Sequence, residues 1–109
     1  MWNEPNKEEL SKLPKLYATD FIAPRDKIIF MHFFIGGCDW YAAEFDGEDL
    51  FFGFVILNND YENAEWGYFS LQELKCIKIK GWCEIDRDLH WQQRRVSEID
   101  KIRKCRRAF

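Results

Sequence analysis

His32, Asp39 and Tyr41 are the residues of this chain whose types and spacing could do chemistry, with His90 as a candidate fourth. A histidine hydrogen-bonded to a carboxylate can act as a general base, because its pKa lies near neutrality and the carboxylate orients the ring. The plainer reading is a histidine stacked among aromatic neighbours with one nitrogen satisfied. A zinc site built from His32, Cys38, Cys83 and His90 would use zinc's preferred ligand types, but the spacing matches no zinc module. No serine or cysteine sits in a nucleophile elbow, and Gly36-Gly37 is followed by a strand-like run instead of the helix N-terminus that phosphate loops use. No metal and no cofactor is expected, and the reading leans away from an enzyme without closing that question.

Binding surfaces carry more signal. Glu44, Asp46, Glu48, Asp49 and Glu65, with Trp66 and Tyr68, suggest an acidic and aromatic surface, and Trp and Tyr dominate interface hot spots. Residues 92–109 are the opposite in charge. Arg94, Arg95, Lys101, Arg103, Lys104, Arg106 and Arg107 against two carboxylates leave +5 there, and hence −8 on residues 1–91 of a chain carrying −3 overall. Such a tail could contact nucleic-acid phosphates, or it could be a solvated face beside an acidic body.

The elements that must position these residues centre on residues 28–57. Gly36-Gly37 and Asp46-Gly47 each read as a two-residue type I′ hairpin turn between β-rich runs. That register places His32 opposite Tyr41 and Trp40 opposite Gly53, and period-two alternation makes both sheet faces apolar, so both need cover. The same alternation puts Phe45 on the face of His32, and Glu44 on the face of Trp40. Asn6 and Glu9 form a capping box for a helix over 6–13 that docks through Leu10 and Leu13, with Trp2 assisting. Residues 15–27 are expected to be loop, and residues 64–69 a fourth strand. Ser70 and Glu73 cap a second helix whose Leu71, Leu74 and Ile77 face inward, 78–81 turn, and 83–91 form a fifth strand. Ser97 opens a basic helix over 97–107 with an inward stripe of Val96, Ile99, Ile102 and Cys105. The result is an α+β chain: a mostly antiparallel five-stranded meander over 28–91 with short N-terminal, middle and C-terminal helices, all in one domain, 1–109.

Composition fits this. Of 109 residues 47% are hydrophobic and 17% aromatic, unlike a disordered chain. No apolar run approaches the roughly 20 residues of a membrane helix, and MWNEPNKEEL lacks the basic and apolar regions of a secretory signal. A soluble, cytoplasmic protein with reduced cysteines is therefore expected.

At HFFIGGCDWYAAEFDGEDLFFGFVILN (32–58), AEWGYFSLQEL (64–74) and DLHW (88–91) the chain resembles a small bacterial family known as domain of unknown function 2958, over roughly 13–99. The resemblance implies no particular activity. Its members are similar to accessory proteins of plasmids, conjugative elements and phages. From that setting the expected function is a non-enzymatic binding or regulatory protein of a mobile genetic element, with a protein partner. In its sharpest form it is an anti-CRISPR or anti-restriction inhibitor that blocks a nucleic-acid-processing enzyme. The alternatives are a nucleic-acid-binding accessory protein using the basic tail and a small metal-dependent or histidine-based hydrolase. Two apolar sheet faces also make a homodimer plausible.

Overall fold

A computed structural model describes residues 1–79 and 81–109. Its centre is a five-stranded antiparallel sheet. In chain order the elements are α1 (Lys7–Leu10), β1 (Ile28–Ile29), β2 (Met31–Ile35), β3 (Cys38–Phe45), β4 (Leu50–Ile56) and β5 (Glu65–Ser70). There follow α2 (Leu71–Cys76), β6 (Lys78–Ile79), β7 (Cys83–Glu84), β8 (Asp86–Arg87), β9 (Arg94–Arg95) and α3 (Asp100–Arg103). The sheet order is β5-β4-β3-β2-β8, so β2 to β5 form the expected meander. The predicted fifth strand over 83–91 breaks up. Cys83–Glu84 pair with Lys78–Ile79 in a separate ribbon, only Asp86–Arg87 add to the sheet, and Lys80, in the predicted turn, lies outside the described residues. No helix among the described residues is long and apolar enough to cross a membrane.

The first hairpin has the predicted register, with Ile35 opposite Cys38 and His32 opposite Tyr41. Its turn differs in type: only Gly36 takes a positive φ (+54°), the sign pattern of a type II′ turn. Gly37 leaves room for its neighbour, since a Cβ there would meet the Asn59 side chain at 2.7 Å and displace it.

The second hairpin corrects the expectation. Asp46 Oδ1 accepts the main-chain N–H groups of Glu48, Asp49 and Leu50 at 2.8, 2.8 and 3.0 Å, which stretches the connection beyond two residues. A bulge between Ala42 and Glu44 then shifts the register, so Trp40 pairs with Val55 and Gly53 with Ala42. Past the bulge the side chains change sides. Phe45 joins the cluster of Trp40 and Phe51, and Glu44 pairs with Phe52 on the face of Tyr41 and Phe54. Gly53 is indispensable, because a Cβ there would lie 1.9 Å from the Tyr41 carbonyl oxygen.

Both faces are apolar and the chain covers both. Leu10 and Leu13, with Leu71 and Leu74 of α2, close one face over Met31, Phe33 and Phe51. Val96, Ile99, Ile102, Cys105 and Ala108 close the other over Tyr41, Phe54 and Ile56. The Asn6/Glu9 capping box and the Ser70 cap form as expected. Ile77 is 37% exposed, however, and Trp2 is 55% exposed, bridging to Asp86 instead of docking α1. The predicted helix 97–107 is a 3₁₀ turn at Val96–Glu98 followed by the single turn of α3. The chain then folds inward, with Arg106 N donating to Tyr61 O at 3.2 Å.

Two glycines side by side in the sheet make a direct test. Gly53→Ala forces a backbone clash and should cost about 3 kcal/mol in urea unfolding. At Gly67, opposite Gly53 on β5, a Cβ would meet nothing within 4 Å, so Gly67→Ala should be neutral or stabilising by up to about 1 kcal/mol.

Candidate functional site

β2 and β3 bring His32, Asp39 and Tyr41 together as their pairing requires. His32 Nε2 lies 2.7 Å from Asp39 Oδ1, and the imidazole stacks on Tyr41 with centroids 4.5 Å apart and planes 6° from parallel. Three further residues complete the group, and the sequence reading missed them. Trp91 packs on the His32 ring at 5.3 Å, Asp88 Oδ2 stands 3.8 Å from His32 Nδ1, and Lys101 of α3 forms an ion pair with Asp39 Oδ2. Lys101 belonged to the predicted tail, and the inward stripe of Ile99, Ile102 and Cys105 was the signal that this segment docks on the sheet. His90, by contrast, is exposed, and its N–H donates to Asp88 Oδ1 at 2.9 Å.

Burial alone would raise the Asp39 pKa. The His32 hydrogen bond and the Lys101 ammonium outweigh it and hold the carboxyl below its usual value. Burial, reinforced by the Asp39 charge, pushes the Tyr41 phenol above its usual range. The group therefore presents an ionised carboxylate clamped between a ring and an ammonium, with a neutral phenol beneath. That is geometry for fixing α3 on the sheet. His32 Nδ1 is buried with no hydrogen-bond partner among the described residues. Asp88 and Trp91 also border a 200 Å³ indentation shared with Glu9 and Arg87, and His32 does not line it. Among the described residues no three His, Cys, Asp or Glu side chains are placed to hold a metal ion, and the four cysteines are free thiols.

The predicted acidic surface separates into different roles. Glu44 is buried: its carboxylate accepts Tyr17 N at 2.8 Å, Thr19 N at 3.0 Å and the Thr19 hydroxyl. Buried Lys27 donates to Thr19 O and, at 2.9 Å, to Thr19 Oγ1. Asp46 is occupied by its loop. Asp49 accepts the Ser70 hydroxyl and Gln72 N at the start of α2. Glu48 is exposed, and Glu65 pairs with Arg107 at 3.4 Å.

The basic residues are dispersed as well. Arg94 and Arg95 form β9 against β1, with the Arg94 guanidinium 4.1 Å over the Trp91 ring. Arg103 and Arg106 pair with Asp100 and Glu62, and Lys104 sits 6.0 Å over the Tyr61 ring. Such exposed pairs are weak, but they give Arg103, Arg106 and, through Glu65, Arg107 a carboxylate from their own chain.

An aromatic group also stays on the surface. Phe52 packs against Trp66 at 5.7 Å and Tyr68 at 5.2 Å, and Trp66 Nε1 donates to Ala108 O at 2.9 Å. Tyr68 is 51% and Tyr17 65% exposed. The neighbouring Tyr17 side chain raises the Tyr68 pKa above the usual phenol value.

A model of the family described as protein of unknown function (DUF2958) matches residues 18–104. No curated protein and no solved structure matches the chain.

Breaking the Asp39 clamp should be costly. Asp39→Ala leaves Lys101 without its partner and should remove about 3 kcal/mol in chemical unfolding. The depressed Asp39 pKa gives the native state an advantage that is fully present above the unfolded carboxylate value of about 3.9 and is lost as pH falls through the lower folded value. Asp39→Asn should therefore flatten the acid limb of the stability profile below about pH 4, measured by urea midpoints against pH.

Proposed function

Since the chain belongs to the family described as protein of unknown function (DUF2958), and that description brings no reaction with it, we propose a function from the surface: a non-enzymatic binding or regulatory module. Its contact face is aromatic, formed by Tyr17, Phe52, Trp66 and Tyr68. The observation that carries this reading is that Tyr68 and Tyr17 stay in water while Tyr68 is braced by the Phe52–Trp66 stack. Rigid, wet aromatic rings lose little entropy when a partner covers them, which is how hot spots work.

Charge supports a choice of partner. The folded chain is net acidic, at −3, and a protein that grips nucleic acid presents a basic channel. The specific form of the proposal is an inhibitor, carried by a mobile genetic element such as a plasmid or phage, of a host restriction or CRISPR nuclease. The basic tail and His32 support the alternatives less, because Arg103, Arg106 and Arg107 pair with carboxylates of the same chain, Arg94 lies over the Trp91 ring and His32 is engaged with Asp39.

Titration against restriction and CRISPR effector nucleases at about 0.15 M salt, where surface charge is screened beyond roughly 8 Å, tests this. One nuclease should bind, and Tyr68→Ser should weaken binding at least tenfold, about 1.4 kcal/mol, with the melting temperature unchanged. Absence of binding to every nuclease would discard the specific form. Binding that ignores Tyr68→Ser would discard the aromatic face.

A further inference from the structure

The chain covers both faces of its own sheet, so the unpaired main chain lies at the edges. One edge, β8, is two residues long and is flanked by the bridge from Trp2. The other, β5, runs six residues, and among the described residues no hydrogen bond reaches the main chain of Glu65, Trp66, Gly67, Tyr68 or Phe69 from outside the β4 ladder. Edge strands normally protect themselves with proline, lysine or a bulge. β5 has none of these, and its one charge, Glu65, is neutralised by Arg107.

We propose that β5 pairs antiparallel with β5 of a second copy of this chain, across a two-fold axis at Gly67. This goes beyond the binding role above and does not depend on it.

Three observations select this occupant and register. Gly67 is not required by the fold, since its φ is not positive and a Cβ there would meet nothing within 4 Å. A glycine in a strand that its own chain does not need fits a place where another backbone approaches. An axis at Gly67 also sets Trp66 opposite Tyr68 of the second copy, and Tyr68 opposite Trp66, on the face where Phe52 already stacks with both rings. Finally, this register keeps the two Glu65 residues far apart along the strands, whereas centring on Glu65 would oppose like charges.

Sedimentation equilibrium tests it. Wild type should be a dimer at about 100 μM and dissociate on dilution. Gly67→Lys, which has room within one copy but sets two ammonium groups at the axis, should weaken dimerisation at least tenfold while circular dichroism and the melting temperature of dilute protein stay unchanged. Gly67→Cys should oxidise to a dimer linked through position 67, since directly opposed Cα atoms lie about 4.5–5.5 Å apart, within disulfide range. A wild type that remains monomeric at that concentration, even one whose edge takes a strand from another protein, overturns the proposal. So does a dimer indifferent to Gly67→Lys.

Discussion

Because the sheet is apolar on both sides and α1 and α3 are single turns, much of its cover has to be irregular chain, and irregular chain brings unpaired main-chain groups into the interior. Two carboxylates on β3 meet this constraint. Glu44 takes the N–H groups of Tyr17 and Thr19, fixing the 15–27 loop, and Lys27 satisfies the Thr19 carbonyl from below. Asp39 takes Lys101 and so fixes α3. Buried charges are poor contributors to stability in general. Here they stand where helix caps and helix hydrogen bonds would otherwise be, and they set where each cover lies.

The bulge at Ala43 makes the first of these pins available. With strict alternation Glu44 would share a face with Trp40, under the cover formed by α1 and α2, where no loop amide awaits it. One extra residue in β3 turns it toward Tyr17 and Thr19. The same step sends Phe45 to the opposite core, beside Phe51 at 4.6 Å, and lets its N–H reach Pro14 O at 2.8 Å. Tyr17 carries a positive φ of +70° at this place, unfavourable for an aromatic residue. The hydrogen bond from its N–H to a buried carboxylate offsets that strain.

Local signals in the sequence were faithful where a single hydrogen-bonding device decides the outcome. The Asn6/Glu9 box, the Ser70 cap and the Gly36-Gly37 turn all form at the stated residues, and with the turn comes the His32–Tyr41 pair. Signals failed where a side chain acts on distant backbone. Asp46-Gly47 has hairpin chemistry, yet the Asp46 carboxylate gathers three amides and lengthens the loop, which displaces Trp40 from Gly53. Residues 97–107 have helical spacing of apolar side chains, but the helix stops after α3 and Arg106 N donates to Tyr61 O instead of to a helical carbonyl. Glu44 was indistinguishable from a surface acid because only the bulge, invisible in period two, buries it.

These displacements change what the surface can mean. A net charge counts Glu44, Asp46 and Asp49 as available, yet each is committed to hydrogen bonds within its own chain, and Arg103, Arg106 and Arg107 are matched to Asp100, Glu62 and Glu65. Besides their charges, the margins of the sheet differ in their rings and their edges. Tyr17, Phe52, Trp66 and Tyr68 line one margin of the sheet, the margin whose main chain is also open. Exposed aromatic surface and unpaired strand edge are each a liability in a free monomer, and their coincidence at β5 means that one covering chain would relieve both.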